Sequence, residues 1–158
     1  MGTPGIETQG EYLAALNTLL TRAGRLIRIL DPDLAGQGWD GVARPALLER
    51  FLLGDGRCRV RILLADGEYL ARRCPLLMNL LRYHGHQIEI RVLGDGQSFA
   101  DGFALGDDGM VLIRHHRLGW QGRFSDHDPQ AVIRLGERFD EAWERVSGGG
   151  LGYTTLGL

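Results

Sequence analysis

The sequence predicts an α/β domain, a mixed β-sheet flanked by helices. Three observations predict it. Stretches that alternate apolar and polar residues recur between stretches with helical apolar spacing. An Asp-Gly turn at Asp108-Gly109 joins two short apolar runs as a hairpin. A final amphipathic stretch places Phe139 and Trp143 one helical turn apart. Strands that alternate with helices and then give way to a hairpin fit a layered sheet rather than a bundle.

Each element has a local reason. Thr8 to Gly24 reads as a first helix, because Thr8 and Glu11 have capping-box spacing and Tyr12, Leu13, Leu16, Leu19, Leu20 and Ala23 form one stripe. A strand over Arg25 to Leu30 follows, closed by Asp31-Pro32-Asp33. A Gly-rich loop leads past Asp40 to a helix over Arg44 to Leu53, stopped by Gly54-Asp55-Gly56. Arg57 to Leu64 alternates, with Cys58, Val60, Ile62 and Leu64 on one face and Arg57, Arg59 and Arg61 on the other. Asp66 caps a helical stretch that must break near Cys74-Pro75, where proline has no N–H to give, and that ends at His84-Gly85.

The strand Gln87 to Leu93 sets Ile88, Ile90 and Val92 against Glu89 and Arg91. After the turn at Gly94-Asp95-Gly96, Phe99 to Leu105 and Met110 to Arg114 form the predicted hairpin. A short strand is expected over Trp120 to Ser125. Asp128-Pro129 opens the last helix as N-cap and first helical residue. One domain is expected over residues 1–147, with a Gly-rich, flexible tail over 148–158.

Composition narrows the function classes. The formal net charge of -2 gives no global attraction to nucleic acid or anionic membrane. No apolar run reaches the roughly 20 residues of a membrane span, and MGTPGIETQGEY has no signal-peptide pattern. Cys58 and Cys74 do not make a disulfide framework, so a cytoplasmic location with reduced, buried thiols is expected. All 18 Lys and Arg positions are arginine.

The order of elements from Arg25 to Ser147 resembles one half of a phospholipase D superfamily domain. It is similar more closely to uncharacterised bacterial domains of that type, some of which follow a GNAT acetyltransferase in the same chain. The residues carrying this likeness are Arg59-Val60-Arg61-Ile62-Leu63-Leu64-Ala65-Asp66, Ile88-Glu89-Ile90-Arg91 and Phe139-Asp140-Glu141-Ala142-Trp143-Glu144. The resemblance implies a His-x-Lys pair ahead of an aspartate, with histidine as nucleophile and lysine on the phosphate. Aligned on Asp108-Gly109, the nucleophile's position holds Asp101 and the lysine's holds Phe103, while Arg114-His115 replaces a Gly-Ser. A carboxylate and a phenyl ring cannot do that chemistry.

The leading expectation is therefore a non-catalytic binding or protein-interaction module. The rivals are a phosphodiesterase or phosphotransfer enzyme with altered catalytic residues and a nucleic-acid-binding domain. Asp101, Asp108 and His115 are the catalytic candidates for the altered enzyme. Arg59, Arg61, Arg91 and Arg114 are the candidate anion-binding residues, since a guanidinium fork suits phosphate. The bland reading of these arginines is an ion-paired sheet face with Glu89, Asp31 or Asp66 as partners. His115, His116, Asp126, His127 and Asp128 form a dense polar cluster, but adjacent histidines on a strand point to opposite faces, so no metal is assigned. No cofactor is expected either. Trp120 is a candidate exposed contact anchor, and Arg72 and Arg73 are placed to lower the pKa of Cys74. Half domains of the superfamily generally pair, so a homodimer is expected, with an acetyltransferase as a second candidate partner; nucleic acid is an unfavoured one and membrane is not expected.

Overall fold

The computed structural model describes residues 5–94 and 98–146. They form a seven-stranded mixed sheet ordered β1-β7-β6-β5-β2-β3-β4. The strands are β1 (Gly5–Ile6), β2 (Leu26–Asp31), β3 (Arg59–Leu64), β4 (Ile88–Val92), β5 (Gly102–Gly106), β6 (Val111–Arg114) and β7 (Gly122–Ser125). β2, β3 and β4 run parallel, and the other pairings are antiparallel. The expected α/β class with a mixed sheet is what the chain adopts.

Five helices cover the two faces. These are α1 (Gln9–Arg22), α2 (Ala43–Gly54), α3 (Glu68–Arg73), α4 (Pro75–Tyr83) and α5 (Pro129–Arg145). α1 to α4 pack on the face carrying Ile27, Ile29, Val60, Ile62, Ile88 and Ile90. Among the described residues α5 is the helix on the other face, where Phe139 and Trp143 meet Leu30, Leu63, Phe103 and Leu105. Those two aromatics stack with ring centroids 5.5 Å apart. Burying each contributes about 3 kcal/mol of transfer free energy.

Local signals set the helix ends. Thr8 accepts from the N–H of Glu11, and the Glu11 carboxylate accepts from the N–H of Thr8, closing the capping box. Asp128 accepts from the Ala131 N–H and Pro129 follows it. The break at Cys74-Pro75 separates α3 from α4. β1 has no counterpart among the expected elements, because two residues carry no period. The Gly-rich tail and most of the turn at Gly94-Asp95-Gly96 lie outside the described residues.

One end of the sheet gathers polar residues. The C-terminal ends of β2 and β6 and the start of β5 meet there, since Leu30 pairs with Phe103 and Gly102 with Arg114. On the α1 side this end carries Asp31, Gly102 and Arg114 side by side. A side chain at 102 has no room, because a Cβ would stand 2.9 Å from the Asp31 carboxylate and 3.0 Å from the Leu30 carbonyl. The open turn of the β5–β6 hairpin lies at the opposite end. There Asp107 accepts from the N–H groups of Gly24 and Arg25 and ties the hairpin to the start of β2.

Candidate functional site

The position to which the resemblance assigns a nucleophile immediately precedes β5. Asp101 is there, and its two carboxylate oxygens accept from Nη1 and Nη2 of Arg138 on α5 at 2.9 and 2.6 Å. The same guanidinium lies 5.5 Å from the centre of the Phe103 ring. The Arg138 hydrogen bonds hold the Asp101 carboxyl below its ordinary pKa, and His115 adds a smaller effect of the same sign. Asp101 and His115 flank the paired residues Gly102 and Arg114 on the neighbouring strands. Asp108 lies apart from them. It sits in the exposed hairpin turn beyond the far end of β5, about 17 Å of strand away.

The sequence candidates for anion binding divide. Arg114 is buried, with Nε donating to the Gly119 carbonyl at 2.6 Å and Nη2 to the Arg117 carbonyl at 2.6 Å. Its plane lies over Trp120 at 4.0 Å. Arg114, a candidate anion-binding residue, thus clamps its own loop. In Arg91, another of the candidates, Nε donates to Glu89 at 2.8 Å, Nη1 to the Trp143 carbonyl at 2.8 Å, and the guanidinium lies 4.2 Å over the Trp143 ring. It holds the C-terminal turn of α5, where cations are favoured. Of the carboxylates expected to pair with the sheet arginines, Glu89 does so and Asp31 and Asp66 do not. Arg59 and Arg61 remain exposed.

Sequence reasoning missed the buried polar hub at this end. Asp31 is 1% exposed, and one of its oxygens accepts from the N–H groups of Leu34 (2.7 Å) and Asp33 (3.2 Å). The other accepts from Gln37 Nε2 at 2.9 Å. These bonds hold Leu34 at φ +72°, a left-handed conformation that leucine rarely adopts. Arg44 then donates Nε to the Gln37 carbonyl at 2.9 Å and Nη1 to Asn17 of α1. Burial pushes the Asp31 carboxyl up, while the hydrogen bonds it accepts oppose that. Burial, with Asp31 nearby, likewise pushes the Tyr12 hydroxyl up. The only available signal was Asp31-Pro32-Asp33 at the end of an apolar strand, which any turn would satisfy.

Trp120 and the two thiols are placed as follows. Trp120 is half-buried, its ring 5.3 Å from that of Tyr12 and packed so closely on Gly36 that a Cβ there would lie 2.7 Å away. Cys74 is fully buried, as expected of both thiols, and burial with Asp40 nearby pushes its thiol up to about 11, so Arg72 and Arg73 do not activate it. Cys58 is buried as expected, and its thiol is also pushed up. No group of three or more His, Cys, Asp or Glu placed to hold a metal ion occurs among the described residues. None of their helices is long and apolar enough to cross a membrane.

A family model described as a domain of unknown function, DUF7931, matches residues 8–148. The chain belongs to the DUF7931 family. No curated protein matches. Among solved structures, this DUF7931 chain is similar to TrmBL2, an archaeal chromatin protein with a novel mode of DNA binding. The TM-score is 0.68 at 17% identity, covering 92% of this chain and 53% of TrmBL2. The chain thus spans about half the length of that relative. It is also similar to Nuc from Salmonella typhimurium, a phospholipase D family member, at a TM-score of 0.58 and 13% identity over 83% of this chain and 86% of that one. NucT from Helicobacter pylori gives 0.59 and 11% over 90% and 96%. At these identities the likeness is one of fold, and the fold of this DUF7931 chain is phospholipase D-like.

Proposed function

We propose that this domain is a non-catalytic phospholipase D-like module that binds a partner or ligand without turning it over. The observation that carries this reading is the Asp101–Arg138 pair. A carboxylate occupies the nucleophile's position, and the cation beside it is consumed by that carboxylate. The lysine's position is a phenyl ring that is 1% exposed. A phosphodiester would meet a negative charge and a sealed apolar surface where nucleophilic and electrostatic catalysis need an imidazole and free cations. The motif is degenerate in this reading, and the scaffold is what remains in use.

Self-association is the partner reading that the fold supports. Among the described residues β4 is an edge strand, paired on one side only, the kind of edge that proteins cover or pair. An acetyltransferase is the other candidate, on family resemblance alone. A nucleic-acid reading draws on the likeness to TrmBL2, also at the level of fold.

The test is a phosphodiester panel assayed with and without divalent metals, beside sedimentation across a range of protein concentrations. The expected result is no turnover and a concentration-dependent dimer. Turnover that disappears in both Asp101→Ala and His115→Ala would overturn the non-catalytic reading. A monomer at all concentrations would remove the dimer. Duplex affinity falling steeply with salt would favour the nucleic-acid reading instead.

A further inference from the structure

At the opposite end of the sheet from Asp101, the first residues of β3 and β4 enclose a shallow concavity of about 150 Å³. Its polar wall is Arg59 and Arg61, successive outward positions on β3, with His86 from the turn before β4. The local carboxylates are engaged elsewhere. Asp55 accepts from the Arg57 backbone and guanidinium, and those bonds hold its carboxyl down at about 2. Glu89, which lines the concavity and stands opposite Arg61 in the ladder, is bonded to Arg91 at 2.8 Å. Neither Arg59 nor Arg61 has a carboxylate partner among the described residues. The other cross-strand neighbour of Arg61 is Arg28, a second positive charge.

The donors are held in place. Arg59 is braced by one nitrogen, Nη1, on the carbonyls of Gly56 and Cys58 at 2.8 and 3.0 Å, which leaves Nε and Nη2 for another acceptor. Arg61 has its Cζ 5.7 Å from the centre of the Trp143 ring, and among the described residues no hydrogen bond engages its N–H groups. Beneath them the buried Gln87 amide donates to the carbonyls of Leu52, Asp55 and Cys58 at 3.0, 3.2 and 3.2 Å, locking the turn before β3 to β4. One braced fork and a second beside the Trp143 ring, both with free donors and next to an exposed imidazole, fit a tetrahedral oxyanion.

We propose that Arg59, Arg61 and His86 form a binding site for a phosphate group. This deepens the reading of the domain as a module that binds without turnover, and rests on it, by naming the chemistry of one ligand.

The test is an amide chemical-shift titration of the whole chain with inorganic phosphate in low-salt buffer. Expected are saturable shifts confined to Arg59–Arg61 and Gly85–Glu89, with a Kd of about 1 mM or tighter. Arg59→Gln with Arg61→Gln should weaken binding at least about tenfold, and Asp101→Ala should leave it unchanged. Methyl phosphate and dimethyl phosphate then separate a monoester source from a diester backbone. Three results overturn the site: no shifts up to about 20 mM phosphate, the same shifts from sodium chloride at equal ionic strength, or unaltered binding in the folded double variant. Such a failure is distinguishable from failure of the non-catalytic reading, which turns on activity at Asp101.

Discussion

Arg138 of α5 and Asp101 at the head of β5, 37 residues apart in sequence, form a two-pronged ion pair with contacts of 2.9 and 2.6 Å. The pair fastens the α5 layer to the edge of the hairpin. Asp101→Ala is expected to cost about 1 kcal/mol, a value kept small because the Arg138 side chain is 44% exposed and water screens it. The folded pKa of Asp101 lies below its unfolded value. Its contribution is therefore present above the unfolded pKa of about 4 and is lost as pH falls through the depressed folded value. Urea midpoints of wild type and Asp101→Asn should differ at neutral pH and converge in strong acid. A constant difference across that window would remove the linkage.

Gly122 and Gly136 should respond differently to alanine. A Cβ at 122 would lie 1.8 Å from the Ile113 carbonyl oxygen, a backbone atom in the neighbouring strand. A Cβ at 136 would meet the guanidinium of Arg28 at 2.7 Å, the far end of a flexible side chain. Gly122→Ala is expected to cost about 3 kcal/mol or more and Gly136→Ala about 1 kcal/mol or less. Thermal melts of the two variants check the order, and equal losses would contradict the packing argument.

Arg114 is a test of guanidinium geometry. It uses two nitrogens on two carbonyls while stacking on Trp120. A lysine has a point charge and no plane, so Arg114→Lys should lose most of what Arg114→Ala loses, about 2 kcal/mol. Tryptophan fluorescence should shift as Trp120 is uncovered. Full retention of stability in the lysine variant would show that charge alone suffices.

The thiols should be inert. Cys58 and Cys74 are both buried, and Cys74 is pushed up to about 11. Iodoacetamide at pH 8 should label neither in the native protein and both in denaturant. Rapid native labelling of Cys74 would contradict its burial.

What the sequence by itself determined was everything governed by neighbours along the chain. The Thr8–Glu11 and Asp128–Pro129 caps, the break at Pro75 and the alternation of β3 and β4 are set within a few residues, so spacing reveals them. The same alternation put Arg59 and Arg61 on one face, and local turn chemistry explained Asp108. Only the tertiary structure decided which charges meet. Asp101 found Arg138, Arg91 found the end of α5, and Arg114 turned to its own loop, because strand register and the path of α5 bring together residues far apart in sequence. The buried Asp31 hub had the same origin: its burial depends on Gly102, a neighbour across the sheet some 70 residues later, leaving space for a carboxylate. Side-chain type is a property of the chain, whereas the partner that neutralises a charge is a property of the fold.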